Sequence, residues 1–137
     1  MGAVLVIADD LTGAAEIGGI ATQYGVKTKI CHHLSDLEQD GLQIINTNTR
    51  SLQSGDILDY LQTLFLEKID VHIWDWVFLK FDSAMRGEIG LQLEFFKDLF
   101  SLQQLLFCPI NPGLGRVIRN GKYYVGEVEI SSSDFAH

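Results

Sequence analysis

Val4-Leu5-Val6-Ile7-Ala8-Asp9-Asp10-Leu11-Thr12-Gly13-Ala14 is the stretch that decides the reading of this chain. An apolar run ends in two carboxylates, a hydroxyl and a glycine, and a helix-like segment follows. That is a strand-to-helix turn loaded with polar groups. In open α/β sheets, ligands bind where strands deliver their carboxyl ends. The octet 7–14 therefore marks where a site belongs. Phe81-Asp82-Ser83-Ala84-Met85-Arg86-Gly87 repeats the design after a second apolar run.

Working outward, residues 3–8 read as a buried strand. Residues 13–24 read as a helix, with Ala14, Ile17, Ala21 and Tyr24 at spacings of three and four and Gly25 as its stop. Lys27–Cys31 predicts a second strand, His32–Gly41 a polar loop or short helix, and Leu42–Asn46 a third strand. Ser54 is placed to cap a helix over 55–68 with Ile57, Leu58, Leu61, Leu64 and Phe65 inside. Ile73–Phe81 predicts a fourth strand. Residues 87–100 predict a helix with Ile89, Leu93, Phe96 and Phe100 on one face, and Leu105–Pro109 a fifth strand. Asn120-Gly121 between residues 116–119 and 122–125 signals a hairpin. Strands alternating with helices predict a three-layer, doubly wound, mostly parallel α/β sheet with helices on both faces, plus a C-terminal β-hairpin. The polar C-terminus brings no closing element, which is odd for a complete domain.

The chain has 137 residues, 47% hydrophobic and 20% charged, the balance of one globular domain. No apolar run reaches the ~20 residues of a membrane helix, and the start lacks a secretory pattern. A cytoplasmic protein away from membranes is expected. A net charge of −8 argues against nucleic acid as a partner. It also means that an anionic ligand must be met by a few placed cations. Of the four arginines, Arg50, Arg86 and Arg116 follow strand-like runs, and guanidinium forks match carboxylate and phosphate. Cys31 and Cys108 lie far apart in apolar stretches and read as buried free thiols. His32-His33 brings no further ligands and is not read as a metal site. Trp74 and Trp76 read as packing residues or an interface edge.

Asp9 and Asp10 are adjacent, so their side chains should point to opposite sides of an extended chain. Either they serve a site, or they cap the following helix with help from Thr12. Lys80 and Asp82, two apart, should share one face of the strand end. Ser83 and Arg86 would then sit at the N-terminus of the next helix, where free N–H groups favour an anion. The plain alternative is a Lys–Asp pair with a capping serine. A dehalogenase-type phosphatase needs an aspartate at the position of Ala8. A response-regulator receiver needs one after the third strand, where Asn46-Thr47-Asn48 stands. A P-loop is absent, and Gly113-x-Gly115 reads as a turn.

Ile-Ala-Asp-Asp-Leu-Thr-Gly-Ala (7–14), Asn-Thr-Asn-Thr-Arg (46–50), Lys-Phe-Asp-Ser-Ala-Met-Arg-Gly-Glu-Ile-Gly (80–90) and Gly-Arg…Asn-Gly-Lys-Tyr-Tyr-Val-Gly (115–126) occur in one order. Together they resemble the N-terminal domain of the four-carbon acid sugar kinase family, which covers threonate, erythronate and 3-oxo-tetronate kinases. The resemblance spans nearly the whole chain. It implies an α/β domain that holds a sugar acid beside a separate ATP-binding region, and transfer of a γ-phosphoryl group to a sugar-acid hydroxyl. It implies Asp9, Asp10, Thr12, Arg50, Lys80, Asp82, Ser83, Arg86 and Arg116 as substrate contacts. Asp10 and Arg86 are the expected catalytic residues: one of Asp9 and Asp10 would act as base, and Arg86 as a carboxylate clamp or charge stabiliser. ATP and Mg²⁺ are expected of the complete enzyme and neither of this chain alone. The expected partners are the sugar acid and either a second copy or a separate nucleotide-binding portion.

Three departures from the family stand out. Ala84 replaces a threonine, Glu16 stands near an aspartate position, and residues 111–116 rewrite a loop. Residues 1–137 are accordingly expected to be an incomplete sugar-acid domain without its nucleotide domain, inactive by itself. A non-catalytic binding module or degenerate fragment is the alternative, and a self-contained small α/β enzyme a third.

Overall fold

The computed structural model describes residues 2–65 and 69–136. Four strands, β1 (Val4–Ala8), β2 (Thr28–Cys31), β3 (Leu42–Asn46) and β4 (Trp76–Lys80), form a parallel sheet in the order β2-β3-β1-β4. Their alternation sorts side chains to two faces. Val6, Ala8, Leu42 and Ile44 meet Ala14, Ile17 and Ala21 of α1 (Leu11–Gln23). Leu5, Ile7 and Ile45 meet Ile57, Leu61 and Phe65 around α2 (Ser54–Leu64), with Phe96 and Phe100 around α3 (Ile89–Leu99). One helix above and two below give the three layers that the sequence predicts.

Small residues let α1 lie close to the sheet. A Cβ on Gly18 would sit 3.3 Å from both Ile44 and Thr28. Gly25, at φ 72°, ends the helix as expected. Tyr24 is the C-cap and is exposed, so it leaves the predicted stripe: the helix has already turned it past the sheet. The helix expected over 55–68 ends at Leu64, and residues 66–68 lie outside the described residues. Ser54 is its first residue rather than its cap, and its hydroxyl donates to Glu88 Oε1 at 2.5 Å. In α3 the inward positions are Ile89, Gln92 and Phe96, so a buried amide takes the place that the pattern assigned to Leu93.

Asn120 (φ 52°) and Gly121 (φ 76°) both adopt the left-handed conformation that a tight hairpin needs. They join β5 (Arg116–Arg119) to β6 (Lys122–Val125), and β7 (Val128–Glu129) adds an antiparallel strand that the sequence reading missed. Leu105–Pro109 is not a strand. Together with β4 it lines an apolar trough of about 600 Å³, and among the described residues it pairs with no strand. Leu106 is therefore 93% exposed, Trp76 is 74% exposed, and Cys108 is exposed where burial was expected. Cys31 and Trp74 are buried as expected.

Candidate functional site

The register of the sheet builds the site. Ala8 lies beside Asn46 on one side and Lys80 on the other, so β1, β3 and β4 end level with one another. The segments that leave them, Asp9-Asp10, Thr47–Arg50 and Phe81–Arg86, emerge at one edge of the molecule. The β1 segment then climbs to α1 on one face, while the β3 segment drops to α2 on the other. Adjacent strands whose connections diverge open the crevice in which this fold class binds ligands.

Arg50 fills that crevice. Its Nε and Nη2 donate to the two oxygens of Asp9 at 3.0 and 2.7 Å, and its Nη1 donates to Asp10 Oδ2 at 2.5 Å. The two carboxylates were expected to diverge, yet both reach one guanidinium. The reason is that Arg50 arrives between them from β3, its own N–H donating to the Asp9 carbonyl at 3.0 Å. Asp10 also caps α1, with Oδ1 accepting from Gly13 N at 2.7 Å. Gly13 permits this approach, since a Cβ there would lie 2.9 Å from that oxygen. Asp10 is thus both the cap of α1 and a member of the charged cluster. Its side chain is 18% exposed, against 1% for Asp9, so Asp10 is the acid of the pair that is open to solvent.

Electrostatics separates the carboxyls. Burial pushes Asp9 above the usual carboxylate value, and the hydrogen bond and charge of Arg50 only partly offset it. Burial also acts on Asp82. There the Arg86 hydrogen bond, the Ala84 N–H and the charges of Arg86 and Arg50 outweigh it, so Asp82 titrates below its ordinary value. Arg86 is held above its ordinary value, first by its hydrogen bond to Asp82 and then by that charge. Its Nε is the group bonded to Asp82, and half of the side chain is exposed.

The remaining expected residues fall into three places. Lys80 and Asp82 do not pair. Lys80 turns toward α1, 3.2 Å from Glu16 Oε2 and 3.2 Å from the Phe81 carbonyl that it donates to, while Asp82 is buried against Arg86. Ser83 does not cap α3, whose N-cap is Glu88. It accepts instead from Arg116 Nη1 at 2.5 Å, which brings Arg116 to the site from β5. Thr12 lies exposed on the first turn of α1. Ala84 is fully buried.

Sequence reasoning assigned no role to two groups. Thr47, Thr49 and Gln92 form a buried hydrogen-bonded chain under the Arg50 loop. The Tyr123 hydroxyl reaches the carbonyls of Ser83 (2.5 Å) and Pro109 (2.8 Å). Thr47, Thr49 and Tyr123 stand inside the quoted motifs 46–50 and 115–126, whereas Gln92 carried no advance signal, since the pattern assigned its place to Leu93. The apolar trough touches the site at Lys80 and Ser83 but not at Asp9, Asp10, Arg50 or Arg86. Its lining offers a polyhydroxy acid few partners.

Fold and site define an α/β ligand-binding domain with a charged crevice at the ends of its parallel strands. The model of the sugar-binding N-terminal domain family matches residues 4–137, and the chain belongs to that family. It is 31% identical over 134 residues to a 3-oxo-tetronate kinase of Brucella melitensis, and 24% identical over 135 residues to a D-threonate kinase of Salmonella typhimurium. Those matches cover 93% and 97% of the chain but 31% and 32% of the relatives, so the chain spans about a third of their length. Among solved structures, a domain of unknown function (DUF1537) from Bordetella bronchiseptica, a domain-swapped dimer with bound citrate, superposes with TM-score 0.78. A protein of Salmonella typhimurium described as a tRNA synthase superposes with TM-score 0.77. Both are 20% identical, cover 95% and 98% of this chain and 34% and 33% of their own, and share its fold. Among the described residues no helix is long and apolar enough to cross a membrane.

Proposed function

We propose that this chain is the part of a kinase that holds a four-carbon sugar acid while a hydroxyl is phosphorylated, and that the kinase works in the cytoplasm. One observation carries the reading. Arg50 gathers Asp9 and Asp10 at the divergence of β1 and β3, and Arg86 stands beside them with both Nη groups unengaged among the described residues. A guanidinium fork suits the acid's carboxylate, and a partly exposed carboxylate suits its hydroxyls. Asp10 is the base of this reading, because it is the acid of the pair that a ligand can touch. Arg86 clamps the substrate carboxylate, and Ser83, Arg116 and Lys80 line the approach. The family match, the two kinase relatives and the citrate in the Bordetella structure all support a small hydroxy acid as the ligand class.

ATP and Mg²⁺ belong, in this reading, to the region outside the chain. Among the described residues no group of three His, Cys, Asp or Glu side chains is placed to hold a metal ion. The crevice carboxyls are instead engaged by guanidinium groups. Self-association is part of the same proposal: the free edge of β4 and the exposed Trp76, Phe78 and Leu106 suit a second copy. Sedimentation that stays monomeric at every concentration removes that part.

Calorimetric titration with threonate, erythronate and 3-oxo-tetronate tests the main claim. Heat with at least one acid, and binding tenfold or more weaker in Arg86→Met, is the expected result. A folded chain that gives neither heat nor chemical-shift change with any of the three overturns it. A non-catalytic binding module is the second reading, favoured by the engagement of both Asp10 oxygens. Full-length protein that binds the acid and keeps its turnover in Asp10→Asn would establish that Asp10 is not the base.

A further inference from the structure

Gln92 is a buried amide that takes no part in the Arg50 fork. It lies under the crevice on α3, 1% exposed, and its Nε2 has no hydrogen-bond partner. Its Oε1 sits 2.7 Å from Thr49 Oγ1. Thr49 Oγ1 lies 2.9 Å from Thr47 Oγ1, which lies 3.0 Å from the Ala8 carbonyl. Thr47 and Thr49 are as buried as Gln92, so water does not complete the set.

Protons can be counted along this chain. Three contacts need three donated hydrogens. Each hydroxyl supplies one, and the Ala8 carbonyl supplies none. With the amide oxygen facing Thr49, one of the three contacts has no proton. Turning the amide about its last torsion presents Nε2 to Thr49. Gln92 then donates to Thr49, Thr49 to Thr47, and Thr47 to Ala8. The orphan donor gains a partner, and an unpartnered carbonyl takes its place, which buried sites tolerate better.

We propose that Gln92 is a positioning residue: its amide N–H starts a one-way hydrogen-bond relay that clamps the loop 47–50 onto the end of β1 and so aims Arg50 at Asp9 and Asp10. The relay ends on Ala8, the residue before Asp9, and passes through Thr49, the residue before Arg50. Both sides of the Arg50–Asp9 contact, through the residues that precede them, are thereby tied to α3, an element that contributes no side chain to the fork itself. The functional part of this inference rests on the crevice being the sugar-acid site. The positional part does not.

Nuclear magnetic resonance on the wild-type chain, without ligand, tests the orientation. Strong cross-peaks from a Gln92 side-chain N–H to the Thr49 side chain are expected, and their absence with the amide assigned overturns the relay. Variants test the consequence. Thr49→Val keeps shape and removes the hydroxyl, Thr49→Ser keeps the hydroxyl, and Gln92→Met removes the donor. The slowly exchanging Arg50 Nε–H signal should survive in Thr49→Ser and collapse in Thr49→Val and Gln92→Met, with acid binding weakened about tenfold in the latter two. A folded Thr49→Val or Gln92→Met protein with an unchanged Arg50 signal overturns the proposal. If those two variants fail to fold, the wild-type cross-peaks decide alone. If the Arg50 signal collapses as expected while no acid binds even the wild type, the positioning role stands and the proposed function fails.

Discussion

Residues 4–100 and residues 101–136 are built on different principles. All buried hydrophobic residues fall in the first region, from Leu5 to Phe100, and none of the described residues after Phe100 is buried. The first region is a parallel sheet closed on both faces by helices. The second is an extended segment and a three-stranded antiparallel ribbon, whose ion pairs Arg119–Glu127 and Lys122–Glu129 are exposed and contribute little. What joins the ribbon to the sheet domain is centred on Ser83, through Arg116 and Tyr123. The buried apolar core and the charged crevice therefore belong to the first region, while the second brings one cation, Arg116, to Ser83.

The largest blow to the first region should come from Arg50→Leu. It leaves the Asp9 carboxyl almost wholly buried without its cation, and removing one partner of such a pair costs about 3–5 kcal/mol. A urea midpoint that shifts by much less would mean that water already reaches Asp9. Gly41→Ala comes next. Gly41 has φ 63°, and a Cβ there would lie 2.3 Å from the Lys27 carbonyl. That carbonyl also accepts from Leu42 N at 2.8 Å, so the start of β3 would have to move. A loss of about 1–3 kcal/mol is expected from the strained backbone, read by thermal unfolding. Neither change should alter the ribbon's own hydrogen exchange until the sheet melts.

The acid limb of the stability curve is the next effect. Asp82 titrates below its ordinary value of 3.8 in the folded chain, so it stabilises the fold above that pH and loses the contribution as pH falls through its lowered folded value. Asp9 has the opposite sign: its raised folded value favours the protonated form, so its contribution falls as pH rises from 3.8 through that folded value. Melting temperatures from pH 2 to 6 should show Asp82→Asn flattening the low-pH loss. An unchanged slope would remove the Arg86–Asp82 pair from the stabilising set.

How much of this could be read in advance follows the same division. β1 to β4, both flanking faces and the hairpin turn were legible because burial imposes period two on strands and three to four on helices, and because Asn-Gly has a conformational cause. Asp9, Asp10 and Arg50 were legible as site candidates, but their union was not: it depends on β3 lying beside β1, a pairing that local sequence does not encode. Gln92 was hidden because a polar residue at a core position shows its partners only once the fold brings Thr49 within reach of it. Leu105–Pro109 has a strand's composition, but a strand needs a neighbour, and the described residues provide none beside it. The missed β7 is two residues long and has no apolar alternation to read.

The smallest predicted effect discriminates most sharply between the two regions. Tyr123→Phe removes one hydroxyl whose proton is shared between the Ser83 and Pro109 carbonyls. Both carbonyls lie where water can replace the lost donor, so the cost should be about 0.5–1.5 kcal/mol. Because the ribbon brings no buried residue to the core, that cost should be local. Amides of Val117, Ile118 and Tyr124 should exchange severalfold faster, while the global urea midpoint and the Arg50 Nε–H signal stay within error of wild type. Arg116 would keep its contact with Ser83 less of the time, so a ligand that needs Arg116 would bind more weakly even though the crevice is intact. If instead the global midpoint falls together with the ribbon's protection, residues 101–136 fold as one unit with the sheet. The ribbon would then be a structural support of the crevice rather than a separately stable attachment to it.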